Sequence, residues 1–288
     1  MDMQELLTTR EVARLLRLNE KKIYQLIREA GLPHVRIAGK WLFPREQLMG
    51  WIRLRVEGQS DLLLAGSDDP LLGRLLGLYN GKRGAEGLAF YASVGSERGL
   101  EALRDGKAQG CCVHLLDPEV QEYNLPFLER WLQEDYAVVV LWHRRQGLLL
   151  PRGNPLGIEG VGDAVRRGAR FALRNPGSGT RRLLEFLLRS EGYEPAEVKG
   201  WGEGYSSHWE AALQVLMGKA DVALGIEYMA HLLGLDFIPM REERFDLVLE
   251  AEVWGMKQVQ RLFEVLRSEL WLVPGYSFRE TGKVLREP

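Results

Sequence analysis

Apolar positions near the start of the chain recur at helical spacing. Val12, Leu15 and Leu16 form one stripe and Ile23, Leu26 and Ile27 a second, which predicts two short amphipathic helices. Thr8-Thr9-Arg10-Glu11 marks the start of the first: the Thr8 hydroxyl can accept an early helical N–H while Glu11 reaches back. Asn19 interrupts the apolar run and can cap the second helix, which Gly31 and then Pro33 stop. Val35-Arg36-Ile37 and Trp41-Leu42-Phe43 alternate about Ala38-Gly39-Lys40, the pattern of a small hairpin. Pro44 is expected to open a third helix carrying Leu48, Trp51 and Ile52. Two helices about a short turn, followed by a hairpin, make a winged helix-turn-helix.

Past the polar stretch Glu57-Gly58-Gln59-Ser60, which reads as a linker, the period changes. Short apolar runs now alternate with small polar loops and helical stripes. Leu62-Leu63-Leu64-Ala65 precedes Gly66-Ser67-Asp68-Asp69-Pro70 and a helix with Leu71, Leu72, Leu75 and Leu76. Leu88-Ala89-Phe90-Tyr91-Ala92 precedes Ser93-Val94-Gly95-Ser96-Glu97, a helix over 99–107 and a strand over 109–116. Arg170-Phe171-Ala172-Leu173 precedes Asn175-Pro176-Gly177-Ser178-Gly179-Thr180-Arg181 and a helix with Leu183, Leu184, Phe186, Leu187 and Leu188. Gly204-Tyr205-Ser206-Ser207-His208 opens a helix through Ala211, Ala212, Val215 and Leu216, and Val222-Ala223-Leu224-Gly225-Ile226 is the next strand. Such alternation implies a mostly parallel sheet, with ligands beyond the carboxyl ends of its strands. Free N–H groups and the positive dipole end at the helix starts favour an anion there. Asp68 and Asp69 run against a simple anion pocket unless they cap their helix or face solvent.

Length and charge sharpen this picture. The 288 residues suffice for two or three domains. The net charge of −2 hides an uneven balance, +4 over residues 1–57 and −6 over residues 58–288. A basic head on an acidic body points to a polyanion partner for the head alone. An apolar content of 45% excludes a disordered chain. The apolar run over 137–142 is far short of the ~20 residues of a membrane helix. The acidic opening Met1-Asp2-Met3-Gln4-Glu5 has no apolar core like that of a secretion signal, so a cytoplasmic protein with no membrane partner is expected. Cys111 and Cys112 are adjacent and read as strand packing, not as a disulfide framework. His34, His114, His143, His208 and His231 have no metal-ligand spacing with them, so no metal is expected.

The head resembles excisionase and MerR-like DNA-binding domains over about residues 5–56. The matching pieces are Leu7-Thr8-Thr9-Arg10-Glu11-Val12-Ala13-Arg14-Leu15-Leu16, the helix Ile23-Tyr24-Gln25-Leu26-Ile27 and the wing Arg36-Ile37-Ala38-Gly39-Lys40-Trp41-Leu42-Phe43-Pro44. The resemblance implies that the second helix enters the major groove of double-stranded DNA, with Lys21, Lys22, Tyr24, Gln25 and Arg28 facing it, and that Arg36 and Lys40 on the wing hold backbone. Arg and Gln can read base edges, whereas Lys and Tyr more often hold phosphates.

The body resembles cytoplasmic relatives of molybdate- and tungstate-binding periplasmic proteins over about residues 61–250. Four runs carry this: Gly95-Ser96 through His114-Leu115-Leu116-Asp117; Gln146-Gly147 through Gly153-Asn154-Pro155-Leu156-Gly157; Arg170-Phe171 through Arg174-Asn175-Pro176-Gly177-Ser178-Gly179-Thr180-Arg181; and Ser207-His208 through Gly218-Lys219-Ala220-Asp221-Val222-Ala223-Leu224-Gly225-Ile226. The resemblance implies a two-lobed α/β domain of the type II periplasmic-binding-protein fold over 61–288. Lobe I would take about 61–137 plus 251–288 and lobe II about 138–250, with crossings near 137–144 and 246–253. The winged helix-turn-helix, mainly α, occupies 1–57. By the same resemblance the cleft holds molybdate or tungstate as an effector, on Ser67, Ser96, Ser178, Thr180 and Ser207, with Ser93, Arg181 and His208 beside them. Each hydroxyl also suits a plain helix cap, at ~1 kcal/mol. No covalent cofactor is expected.

Other features read as structural. The loop from Asn175 lacks the spacing of a nucleotide phosphate loop. Gly200-Trp201-Gly202-Glu203-Gly204 reads as a loop near the cleft, and His143-Arg144-Arg145 as a solvated bend. Trp254, Phe263, Leu266, Leu270 and Trp271 read as apolar helix faces. The loops display no nucleophile–base pair, so a non-enzyme is expected: a ligand-responsive transcription regulator, working as a homodimer on a two-part DNA site. The alternatives are an enzyme or accessory protein of molybdenum cofactor metabolism, and an architectural DNA-binding protein whose body holds a protein partner.

Overall fold

A computed structural model describes residues 6–56, 61–81, 87–132, 135–202, 204–268 and 272–288. Met1 to Glu5, the Glu57-Gly58-Gln59-Ser60 linker, Glu203, Leu270 and Trp271 lie outside the described residues. The chain divides into two units, Met1–Asp61 and Leu62–Pro288.

The first unit contains β1 (Leu6–Thr8), α1 (Thr9–Leu16), α2 (Glu20–Glu29), β2 (Val35–Ile37), β3 (Lys40–Pro44) and α3 (Arg45–Val56). Its strands form an antiparallel sheet in the order β1-β3-β2. The Thr8 capping box forms: Thr8 Oγ1 accepts the Glu11 N–H at 3.4 Å, and the Glu11 carboxylate accepts the Thr8 N–H at 2.7 Å. Asn19 Oδ1 accepts the Lys22 N–H at 2.9 Å and caps α2. Val12, Ala13, Ile23, Leu32, Phe43 and Leu48 are the core. Leu15, expected inside, is exposed, and Ala13 faces inward instead. Pro44 does not open α3; it ends β3, opposite Leu6. At three residues, β1 is too short for its alternation to register in sequence.

The second unit has two lobes on one sheet. Lobe I holds β4 (Leu62–Gly66), α4 (Pro70–Gly81), β5 (Ala89–Ser93), α5 (Ser96–Arg104), β6 (Gly110–Val113) and α6 (Leu125–Trp131). The chain crosses on β7 (Tyr136–Leu150) into lobe II, with α7 (Val161–Arg166), β8 (Phe171–Ala172), α8 (Gly179–Ser190), α9 (His208–Leu216), β9 (Val222–Ile226) and α10 (Glu227–Leu233). It returns on β10 (Asp236–Glu250) and completes lobe I with α11 (Ala251–Trp254), α12 (Lys257–Ser268), β11 (Tyr276–Ser277) and β12 (Val284–Arg286). The sheet order is β5-β4-β6-β10-β7-β9-β8. β4 lies parallel to β5 and β6, and β8 to β9, while β7 and β10 run antiparallel along their length.

β7 and β10 form a ribbon common to both lobes. Val139, Leu141, Phe245 and Leu247 sit in the core of lobe I, and Leu148 and Leu150 in that of lobe II. The return therefore precedes its expected place at 246–253, where residues 251–254 are already helical. His143-Arg144-Arg145 is not a solvated bend. It lies inside β7 with His143 and Arg144 buried, because antiparallel pairing to β10 carries the polar residues across the seam. Phe263 and Leu266 are buried as expected, and Trp254 partly so. Cys111 and Cys112 are free and buried in β6. Gly99 on α5 packs against Gly66 at the end of β4; a Cβ at residue 99 would meet Cys111 Sγ at 2.6 Å. The small pair draws the start of α5 onto the strand ends that bear the cleft. Among the described residues, no helix is long and apolar enough to cross a membrane.

Candidate ligand cleft and nucleic-acid interface

The strand ends and the β7–β10 ribbon meet in a buried polar cluster. Glu243, on β10, is held by three partners: an ion pair with Arg144, and bonds from His114 Nδ1 and Gln146 Nε2, each at 2.7 Å. Burial alone would raise its carboxyl, but Arg144 and His114 overcome this and hold it at about 2. Glu243 is thus an anion at neutral pH and can only accept. His114 Nδ1 therefore carries the hydrogen, and Nε2 accepts the Ser67 hydroxyl at 2.6 Å. Burial keeps the His114 ring neutral, below its ordinary range. Arg144 also pairs with Asp69 at 2.5 Å, and Asp69 Oδ1 caps α4 through the Leu71 and Leu72 N–H groups at 2.7 and 3.1 Å.

A second group spans the seam between lobes. Arg174, on the loop after β8, donates to the carbonyl oxygens of Tyr205 at 3.2 Å and Ser206 at 2.8 Å. Among the described residues its Nη1 is buried without a hydrogen-bond partner, and it lies 4.0 Å from Asp68 Oδ2. Burial lowers this guanidinium to about 10, so it stays charged at neutral pH. The same Asp68 oxygen accepts the His208 N–H at 2.7 Å. The His208 ring is buried and neither nitrogen has a partner; burial, then Arg174 and Arg144, keeps it neutral. Arg144 Nη2 and Gln146 Oε1 are likewise buried and unpartnered. The lobes also meet where Glu97 pairs with Arg182 and donates its N–H to the Gly177 carbonyl oxygen at 3.2 Å.

Ser67, His114 and Glu243 have the order of a nucleophile, base and acid. They lie far apart in sequence, which is why no such pair was visible in any loop. In the turn beside Ser67, the Ser67 N–H is spent on the Cys112 carbonyl oxygen at 2.8 Å, and those of Leu71 and Leu72 on Asp69.

The PBP superfamily domain matches residues 80–267, most of the chain. The protein belongs to the PBP superfamily. A helix-turn-helix domain matches residues 6–55. The whole chain is similar to YvgK of Bacillus subtilis (strain 168), at 30% identity over 305 residues and 97% of each chain. Two solved structures share the fold of the body. One is a phosphate transporter substrate-binding protein of Clostridium perfringens with bound phosphate, at 11% identity, TM-score 0.55, over 73% of this chain and 93% of that one. The other is the regulatory domain of CcmR from Synechocystis in complex with 2-PG, at 15% identity, TM-score 0.52, over 73% and 97%.

Within this PBP-superfamily body, each expected hydroxyl has a partner, but those of Ser96, Ser178, Thr180 and Ser207 accept and keep their own O–H to donate. Ser67 is bonded to His114. Ser96 Oγ accepts the His114 N–H at 3.3 Å, and Thr180 Oγ1 accepts from Gln146 at 2.9 Å. Ser178 and Ser207 cap α8 and α9, accepting the N–H of Arg181 at 3.2 Å and of Glu210 at 3.0 Å. Ser93 is exposed at the end of β5, opposite Gly66. Arg181 turns to Glu185, at 3.2 Å, and lies 3.6 Å over the Trp201 ring. Charged and amide side chains stand among these expected neutral donors. His114, Arg144, Gln146, Arg174 and Glu243 were missed. His114, Gln146 and Arg174 stand in the runs that carry the family resemblance, and a further signal is charge inside apolar runs, as in Trp142-His143-Arg144-Arg145-Gln146-Gly147-Leu148. Asp68 and Asp69 face inward, each held by partners on other elements.

On the helix-turn-helix, Lys21, Lys22, Tyr24 and Arg28 are exposed on α2, and Arg36 and Lys40 on the hairpin. Gln25 is less free: it accepts from Lys22 Nζ at 2.8 Å and donates to Glu29 at 2.5 Å. Arg36 lies over the Trp41 ring at 5.2 Å.

Proposed function

We propose that this protein is a ligand-responsive DNA-binding regulator whose cleft takes a small oxyanion. The buried, incompletely paired Arg174 carries this reading. An uncompensated buried charge costs several kcal/mol, so an anion that completes its bonds favours one arrangement of the lobes over another. The phosphate bound by the C. perfringens protein and the 2-PG bound by the CcmR regulatory domain support an acidic ligand. Molybdate or tungstate is the finer reading that the sequence resemblance supports. The head would lay α2 in the major groove with Lys21, Lys22, Tyr24, Gln25 and Arg28 toward the bases and phosphates, and Arg36 and Lys40 toward backbone. Two copies on a two-part site, in the cytoplasm, complete the proposal.

Calorimetry with phosphate, sulfate, molybdate and tungstate tests it. The wild type should bind at least one, and Arg174→Ala should lose that binding. Affinity for DNA should change when the bound ion is present, since coupling is reciprocal. A wild type that binds none of the four overturns the oxyanion reading.

The Ser67–His114–Glu243 chain favours a second reading, an acyl-transfer enzyme. An organophosphate serine reagent separates the two: labelling of Ser67 would support the enzyme, and the regulator reading expects none.

A further inference from the structure

The anion subsite can be placed more closely, resting on the reading of the cleft as an oxyanion site. α9 is nine residues long, and Ser207 caps it through the Glu210 N–H. Its first N–H, that of His208, instead donates at 2.7 Å to Asp68 Oδ2, on the loop after β4 in the opposite lobe. Arg174 Nη1, buried and unpartnered, lies 4.0 Å from that same oxygen. Two donors of lobe II thus converge on one carboxylate oxygen of lobe I. Both nitrogens of the His208 ring are buried there without partners. Arg144 Nη1 steadies the loop by donating to the Asp68 carbonyl oxygen at 3.2 Å.

A helix N-terminus flanked by a guanidinium suits an oxyanion. Asp68 fills that place only in part, since Arg174 Nη1 stays beyond hydrogen-bonding distance. We infer that Asp68 is a tethered stand-in for the ligand, seated on the His208 N–H and Arg174 until a free oxyanion displaces it. The carboxylate can leave without crossing the core. Its side chain is 20% exposed, and a surface cavity of about 390 Å³ lined by Asp68, Arg74, Trp209 and Leu232 opens beside it. The apparent affinity is then the intrinsic one reduced by the fraction of molecules in which Asp68 has swung out. The stand-in sets the concentration at which the ligand registers.

Asp68→Asn keeps the shape and an oxygen for the His208 N–H but removes the charge. Glu97→Gln is the control, a carboxylate that also bridges the lobes, through Arg182. Calorimetry is run on both variants and the wild type with phosphate, sulfate, molybdate and tungstate. Asp68→Asn should bind at least one ion about tenfold or more tighter than the wild type, and Glu97→Gln should not. A wild type that binds while Asp68→Asn binds no tighter overturns the stand-in and leaves the oxyanion cleft standing. Failure of the wild type to bind any of the four ions overturns both readings. If Asp68→Asn does not fold, Asp68→Ala decides: acetate should raise its unfolding temperature but not that of the wild type, and an equal response overturns the stand-in.

Discussion

Gly179, at the first position of α8 in lobe II, packs directly on His114, at the end of β6 in lobe I. A Cβ at residue 179 would stand 2.6 Å from His114 Nδ1 and closer still to its carbonyl oxygen. The glycine is therefore what lets the lobes meet over Ser67, Glu243 and Arg174. Gly179→Ala should hold the cleft ajar while leaving each lobe intact. Overpacking of this kind costs ~1–3 kcal/mol, so oxyanion affinity should fall ~5- to 150-fold. Calorimetry reads the loss, and small-angle scattering should show a more extended body. Unchanged affinity and shape would refute the closure role.

Glu243→Ala should be among the most damaging changes in the body. It leaves the buried Arg144 with Asp69 as its remaining carboxylate partner and strips His114 Nδ1 of its acceptor. Breaking a buried pair from one side costs ~3–5 kcal/mol. Urea unfolding of the full chain checks this. Glu243→Gln, which keeps the volume, should lose less.

Stability of the body should fall as the medium is acidified below about pH 6.5. Burial holds both His114 and His208 below their ordinary value of 6.5, so the folded state refuses protons that the unfolded chain accepts. Their contribution is therefore complete above that value and drains as pH drops, by up to ~2.7 kcal/mol per pH unit for two protons. Glu243, held at about 2 against 4.5, adds its own loss only as pH falls from 4.5 toward 2. Urea midpoints at pH 7.5, 6.5 and 5.5 test the sign; replacing His208 by Gln should flatten the slope.

Substituting Lys21, Lys22 and Arg28 by Ala should weaken binding to duplex DNA of any sequence. If all three hold phosphates, the slope of log K against log salt becomes shallower by ~2.7. Fluorescence anisotropy between 50 and 200 mM salt measures it, with oxyanion affinity as the unaffected control. An unaltered slope would move the DNA-facing surface away from α2.

The head was readable nearly residue by residue. Thr8 with Glu11 and Asn19 with Lys22 act within four positions, and such short-range chemistry shows in order along the chain. Leu15 misled because α1 is one turn shorter than a stripe needs to fix its face, and Pro44 because strand β1 gave no pattern of its own. In the body, alternating runs and small polar loops located the strand ends, and Ser67, Ser96, Ser178, Thr180 and His208 do lie there. Their partners were hidden. A hydroxyl at a strand end looks the same whether it faces a ligand or a histidine.

Fold class, two units and the helix caps follow from local propensity and periodicity, which depend on neighbours a few residues away. The cleft chemistry does not. Arg144 stands opposite Glu243 because of the register of β7 on β10, and Asp68 reaches His208 because two lobes close. A slip of one residue in that register would turn Arg144 to the other face of the sheet, and nothing along the chain near Arg144 forbids it. Long-range pairing, with burial that makes each unpaired charge costly, settles which polar groups meet.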